Sequence, residues 1–251
     1  MRASLQRSGQ QALLAVATAI LSACGATVNA PTIEPLEWVE LRTGGAEASD
    51  TLPLIIALHG RGDHPEGFAR TFEGFETRAR IALIRAPIPE GEHFAWFTFR
   101  RTQTWRHVAE DLDVVSDRVA HTAELIARER ATRGRPIALG FSQGGNLIYT
   151  LALRHPARFS ALFPVSSGFV QEALAWEQFD VPQTPPIVAF HGTSDEVIPI
   201  GVERDSIRML QGLGIRAELH EHEAPHWIVP TMRSDLHRAL GEAISRIDLQ
   251  P

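Results

Sequence analysis

Residues 136–153 read PIALGFSQGGNLIYTLAL. An apolar run ends at Gly140 and a run with helical spacing resumes at Asn146. Ser142 stands between them, with Gly140 two residues before and Gly144 two after. Few chain geometries call for that arrangement. A very sharp strand-to-helix turn brings its flanks close to neighbouring backbone, so only small side chains fit on either side of the apex. Gly145 adds room. Such a turn lifts the serine hydroxyl over the end of the strand. It also aims the first N–H groups of the helix at any negative charge that develops there.

The rest of the chain supplies the sheet this turn needs. LEWVELR alternates like an edge strand, and LPLIIALHG is a continuous apolar run of the kind buried on both faces. IALIRAP, PIALGF, FSALFPVSSG, PPIVAFHG and RAELHEH read as further strands. Between them lie helical patterns. EGFARTFEGFETRAR spaces Phe68, Phe72 and Phe75 three or four apart. VAEDLDVVSDRVAHTAELIARER lines up Val108, Leu112, Val115, Val119, Leu125 and Ile126. NLIYTLALRHP, IGVERDSIRMLQGLG and TMRSDLHRALGEAISRI complete the set. Strand-helix alternation predicts an α/β fold with a mostly parallel sheet covered on both faces, here as one domain over residues 36–251.

A serine hydroxyl is a weak nucleophile at neutral pH and needs a base, which in turn needs an orienting carboxylate. In this class of fold they follow the serine in the order acid, then histidine. Asp195 lies four residues past His191 at the end of an apolar strand, with Glu196 beside it as the alternative acid. His226 lies in the loop before the last helix, flanked by Trp227 and Ile228 as shields. His220 and His222 sit on the preceding strand, where a solvated face is expected. With His226 they also form an H-x-H-x3-H metal pattern, but the serine constellation already accounts for His226. No metal and no organic cofactor is expected. Two backbone donors must hold the oxyanion: the N–H of Gln143, and that of Arg61 in the glycine-bearing loop LHGRGD. His59, His191 and Phe141 are expected to support these loops. Trp96 and Phe97 are candidates for lining an acyl pocket. Arg100, Arg101 and Arg106 read as a solvated face.

On LHGRGD, GFSQGG, RHPARFSALFPVSSG, HGTSDEVIP and PHWIVP, the chain resembles the phospholipase/carboxylesterase (acyl-protein-thioesterase-like) family of α/β-hydrolases, from about Leu52 to Ile247. The resemblance implies the α/β-hydrolase fold. It implies Ser142 as nucleophile, Asp195 as orienting acid, His226 as base, and Arg61 and Gln143 as oxyanion donors. The family more often has leucine at the place of Arg61 and glycine at that of Pro225, and HFAWFTF lacks the aspartate of the family's Trp-Phe-Asp segment. The expected reaction is cleavage of short to medium acyl carboxylic esters through an acyl-serine intermediate. No large insertion between the last strands provides a lid. Lysophospholipase, acyl-thioesterase and peptidase chemistry use the same triad. A non-catalytic binding lipoprotein is the rival from another class.

The N-terminus constrains location. MRASLQRSGQ carries Arg2 and Arg7 and no acid, ALLAVATAIL is a short apolar core, and LSAC ends it at Cys24, the one cysteine of the chain. This resembles a bacterial lipoprotein signal over residues 1–23, with Cys24 as the lipidated residue and residues 24–35 as a tether. It implies a lipid anchor in a bacterial envelope, at the outer membrane facing the periplasm or exterior. One cysteine excludes an internal disulfide. The 251 residues, 44% hydrophobic, suffice for one sizeable core. A formal charge of -6 and the absence of lysine leave no polybasic surface for nucleic acid. A small ester or lipid-like substrate is therefore the expected partner.

Overall fold

The computed structural model describes residues 33–98, 104–170 and 183–249. The leader, Cys24, Arg100 and Arg101 lie outside the described residues.

Strands β1 (Trp38–Thr43), β2 (Leu52–Leu58), β3 (Ala79–Ile84), β6 (Thr132–Phe141), β7 (Ala161–Val165), β8 (Ile187–Gly192) and β9 (Ala217–His222) form one seven-stranded sheet. Its order is β1-β3-β2-β6-β7-β8-β9. Only β1 runs antiparallel, along the edge beside β3. The other neighbours pair in parallel. Every residue of β2, β3, β7 and β8 is buried, as expected of strands covered on both faces. The edge strands alternate instead.

Helices α2 (Trp105–Glu129), α3 (Gln143–Arg154), α4 (Ile200–Gly212) and α5 (Pro230–Asp248) cover the sheet. Val108, Leu112, Val119 and Ile126 of α2 join Leu147, Ile148, Leu151 and Leu210 in one core layer. Met232, Leu236, Leu240 and Ile244 of α5 pack with Ile55, Ile81 and Phe163 in the other. This is the α/β-hydrolase architecture, a mostly parallel sheet between helices.

Two segments differ from the sequence expectation. EGFARTFEGFETRAR is not one helix. Helix α1 (Pro65–Phe68) gives way to a 3-10 turn at Ala69–Phe72. Gly74 then takes φ +78, a conformation few side chains tolerate, and the chain enters β3. Phe68, Phe72 and Phe75 are all buried, so their spacing reports burial rather than a continuous helix. The second segment is an added hairpin, β4 (Ile88–Glu90) with β5 (His93–Ala95). It bridges to the loop after β2 through Asp63 and Phe94.

Candidate active site

The turn after β6 has the shape its sequence requires. Ser142 takes φ 54 and ψ -117, outside the regions a non-glycine residue ordinarily adopts. Its N–H donates to Val165 O at 2.9 Å, which fixes the apex against β7. A Cβ on Gly140 would stand 2.3 Å from Gly144 O, and one on Gly144 would stand 2.3 Å from Leu58 O. Both contacts are with backbone, so the small residues around Ser142 are a steric necessity. Helix α3 starts at Gln143, whose N–H has no acceptor within the helix.

His226 reaches this serine from the loop between β9 and α5. Its Nε2 lies 3.0 Å from Ser142 Oγ, and its Nδ1 lies 2.7 Å from Asp195 Oδ2. Because the carboxylate accepts, Nδ1 carries the proton and Nε2 is left free to accept one from the hydroxyl. Asp195 is buried, whereas its neighbour Glu196 is exposed. Asp195 Oδ1 accepts the N–H groups of Val197 at 2.9 Å and Ile198 at 2.8 Å. The acid and base loops are also tied together. Thr193 N–H donates to His222 O at 2.7 Å, and Ser194 N–H donates to Ala224 O at 3.0 Å.

Trp227, expected to shield His226, is 68% exposed, and Phe141 packs on the imidazole with ring centroids 4.9 Å apart. His220 and His222 do not converge with His226 as ligands, and no group of metal-binding side chains occurs among the described residues. Both stack on Phe190, and the His222 side chain is only 10% exposed rather than solvated. Burial lowers the pKa of His222 despite Asp235 nearby.

The loop His59–Asp63 is held from three sides. Buried His59 donates from Nδ1 to Gly60 O at 2.7 Å and accepts Ala86 N–H at Nε2, 3.2 Å away. Burial lowers its pKa, which suits this neutral, doubly bonded ring. Gly62 N–H donates to Phe94 O, and Phe94 N–H returns to Asp63 O, both at 3.0 Å. The Arg61 guanidinium grips the Glu90 carboxylate, Nη2 to Oε1 being 2.8 Å. Its side chain is thus drawn to the hairpin.

Trp96 is fully buried and Phe97 nearly so. Trp96 Nε1 donates to His59 O at 2.7 Å, and Trp96 N–H donates to Gln143 Oε1 at 3.0 Å. Gln143 Nε2 donates to Phe97 O at 3.1 Å. These two residues therefore lock the loop His59–Asp63 to the start of α3. Among the described residues, a cavity of about 480 Å³ is lined by Gly60, Arg61, Phe68, Phe141, Trp227 and Ile228 among others, without Trp96 or Phe97. Sequence reasoning missed Glu90 and Phe94; the turn-like PEGE at residues 89–92 marks a turn there but not the partners of either residue. A larger hollow of about 550 Å³, lined by Arg135, Ser160, Pro185, Arg216 and Arg246, includes none of these residues. It lies by the starts of the strands, away from the serine.

Comparison with known proteins agrees with this fold. A family profile described as Phospholipase/Carboxylesterase matches residues 46–242. A rice protein (Oryza sativa subsp. japonica), described as a probable inactive carboxylesterase, is 27% identical over 190 residues, covering 68% of this chain and 76% of its own. Acyl-protein thioesterase 1 of Gibberella zeae is 22% identical over 189 residues, covering 66% and 80%. Among solved structures, esterase PE8 superposes with a TM-score of 0.71 at 19% identity, over 84% of this chain and all of the other.

Proposed function

The chain belongs to the phospholipase/carboxylesterase family of hydrolases, and from that premise we propose that it is a serine carboxylesterase working through an acyl-enzyme. The observation that carries the reading is the continuous line of contacts from Ser142 Oγ to His226 at 3.0 Å and from His226 to Asp195 at 2.7 Å. Ser142 Oγ attacks the ester carbonyl carbon while His226 Nε2 takes its proton. The carbonyl electrons move to oxygen, and the N–H groups of Arg61 and Gln143 hold that oxyanion. The intermediate collapses, His226 protonates the departing alcohol, and the acyl group stays on Ser142. Water, deprotonated by His226, then releases the carboxylic acid and restores the serine.

The cavity beside Gly60, Phe141 and Ile228 is the place for the acyl chain, and its about 480 Å³ suits short to medium chains. Thioesters, lysophospholipids and activated amides carry the same acyl chemistry. The name of the Gibberella zeae relative makes thioesters the first to compare with esters. The name of the rice relative raises a non-catalytic role. The bonded Ser142, His226 and Asp195 side chains favour catalysis here. Lipidation at Cys24 would tether the enzyme in a bacterial envelope, supported by LSAC behind an apolar run. An N-terminal mass carrying no lipid would remove the tether from this account.

Labelling with a fluorophosphonate tests the chemistry. Wild type is expected to label, and Ser142→Ala to lose both label and turnover. His226→Ala is expected to lose on the order of 10^3-fold in kcat, and His222→Ala to lose little. An active His226→Ala enzyme alongside an inactive His222→Ala enzyme would place the base on β9 and sink the assignment.

A further inference from the structure

Behind the triad lies a set of buried polar groups that the reaction above does not use. His191 stands near the end of β8, Glu203 in the first turn of α4, and Tyr149 in α3, all with no exposed surface. Tyr149 O–H donates to Glu203 Oε1 at 2.5 Å. His191 Nε2 donates to Ile198 O at 2.8 Å and lies 3.5 Å from Asp195 Oδ2. On the other edge of the ring, His191 Nδ1 faces Glu203 Oε2 at 3.7 Å. Neither of these two atoms has a hydrogen-bond partner.

The proton count follows. His191 Nε2 must carry a proton, because Ile198 O can only accept. Glu203 Oε1 already receives the proton of Tyr149. If Nδ1 and Oε2 were both bare, two lone pairs would face each other in a dry site. One proton between them removes both defects. Placed on Nδ1, it makes an imidazolium-carboxylate pair, in which Tyr149 donates to a full anion and the cation faces Asp195. Charged groups on the surrounding elements are compatible with that state. From β9, Glu221 pairs in register with His191 but is neutralised by Arg204 at 2.6 Å. From the loop before α5, His226 lies beyond Asp195. Burial alone would lower the pKa of His191, yet Glu203, the Ile198 carbonyl and Asp195 together hold it above the ordinary value. Burial raises that of Glu203.

We infer that Glu203 is a positioning residue: it keeps His191 as an imidazolium, and through that ring it fixes and partly screens the Asp195 carboxylate that orients His226. The inference rests on Ser142, His226 and Asp195 being the working triad. The segment 195–198 is then closed from both ends. Asp195 Oδ1 takes the Ile198 N–H, and His191 takes the Ile198 carbonyl.

Glu203→Gln tests this with little change in shape. The amide oxygen can still accept from Tyr149, and the amide N–H can donate to a neutral His191, so the bonds persist while the charge pair is lost. With ¹⁵N-labelled histidine, wild type is expected to show both ring nitrogens of His191 protonated at pH 7, and Glu203→Gln only Nε2. In kcat/KM for p-nitrophenyl acetate, the acid limb of the variant is expected to move to higher pH by about 0.5–1 unit, with KM unchanged. The direction follows because an Asp195 carboxylate no longer faced by a cation holds the proton of His226 more tightly. A single ring proton on His191 in wild type overturns the inference. So does an unmoved acid limb in folded Glu203→Gln. Wild type that neither labels with fluorophosphonate nor turns over ester would refute the triad itself, and the ring-nitrogen measurement on the same sample would still decide the charge on His191.

Discussion

Replacing Gly144 with alanine isolates the close approach on which the site depends. The added Cβ would sit 2.3 Å from Leu58 O and 2.7 Å from His59 O. Both are main-chain atoms at the end of β2, and neither can rotate aside. Ordinary contact begins at 3.4 Å, so α3 and the end of β2 must part by about 1 Å. Overpacking of this kind costs about 1–3 kcal/mol, which for a domain of this size is a fall in Tm of roughly 2–12 °C. The same shift separates the Arg61 N–H from the Gln143 N–H and from Ser142. A misplacement of about 1 Å between reacting and stabilising groups costs on the order of 10^2-fold in rate. Gly201→Ala is the control, because a Cβ there meets nothing within 4 Å and α4 gains a better helix former. The assay is kcat on p-nitrophenyl acetate beside the rate of fluorophosphonate labelling, with Tm read on the same preparations. A Gly144→Ala enzyme that is destabilised but turns over like wild type would refute the reasoning. The close approach would then support the fold without setting the oxyanion geometry.

Trp96→Phe removes the donor to His59 O and puts a smaller phenyl ring in place of the buried indole, and kcat is expected to fall about tenfold with KM unchanged; a change confined to acyl-chain preference would make Trp96 a pocket residue. Arg61→Ala keeps the backbone N–H and should stay within a few-fold of wild type, whereas Arg61→Pro deletes that donor and should cost about 10^2–10^3-fold in kcat. Equal losses in the two would shift the role to the guanidinium. Glu40, on β1, is raised by burial but drawn lower overall by Arg42, Arg80 and Arg130. A carboxyl whose pKa falls on folding adds stability above its unfolded pKa and loses it as pH drops through the folded one. Glu40→Gln should therefore lower Tm at pH 7, where it abandons the nearly buried Arg80, and flatten the decline of Tm on the acid side; a curve parallel to wild type would refute that.

How much of this was legible in the sequence depends on what kind of constraint each residue answers to. The strands 52–58, 161–165 and 187–192 could be read because a strand covered on both faces must be apolar throughout. The turn at Ser142 could be read because backbone crowding admits only small residues, and that demand is written within a few positions of the chain. Asp195 and His226 followed from chain order and from their places beyond strand ends. Residues answering to one distant partner left no local trace. Nothing in PIPEGEHFA says that Glu90 will receive Arg61, 29 residues earlier, so the clamp on the loop after β2 was hidden. The phenylalanines of residues 68–75 have helical spacing because they share one core, and the spacing could not reveal the break at Gly74.

Glu203 is the sharpest case. In IGVERDSIRML it has the look of a solvated helix residue, beside Arg204 and Asp205, both exposed. It is buried because Tyr149 and His191 meet it there, from 54 and 12 residues away. A carboxyl taken out of water at that point must be bonded on both oxygens or share a proton, and His191, the ring that faces it, lies 3.5 Å from Asp195. Local pattern therefore exposes the parts of this site that bend the backbone. The parts that set charge become visible only once the sheet has brought α3, β8 and α4 together.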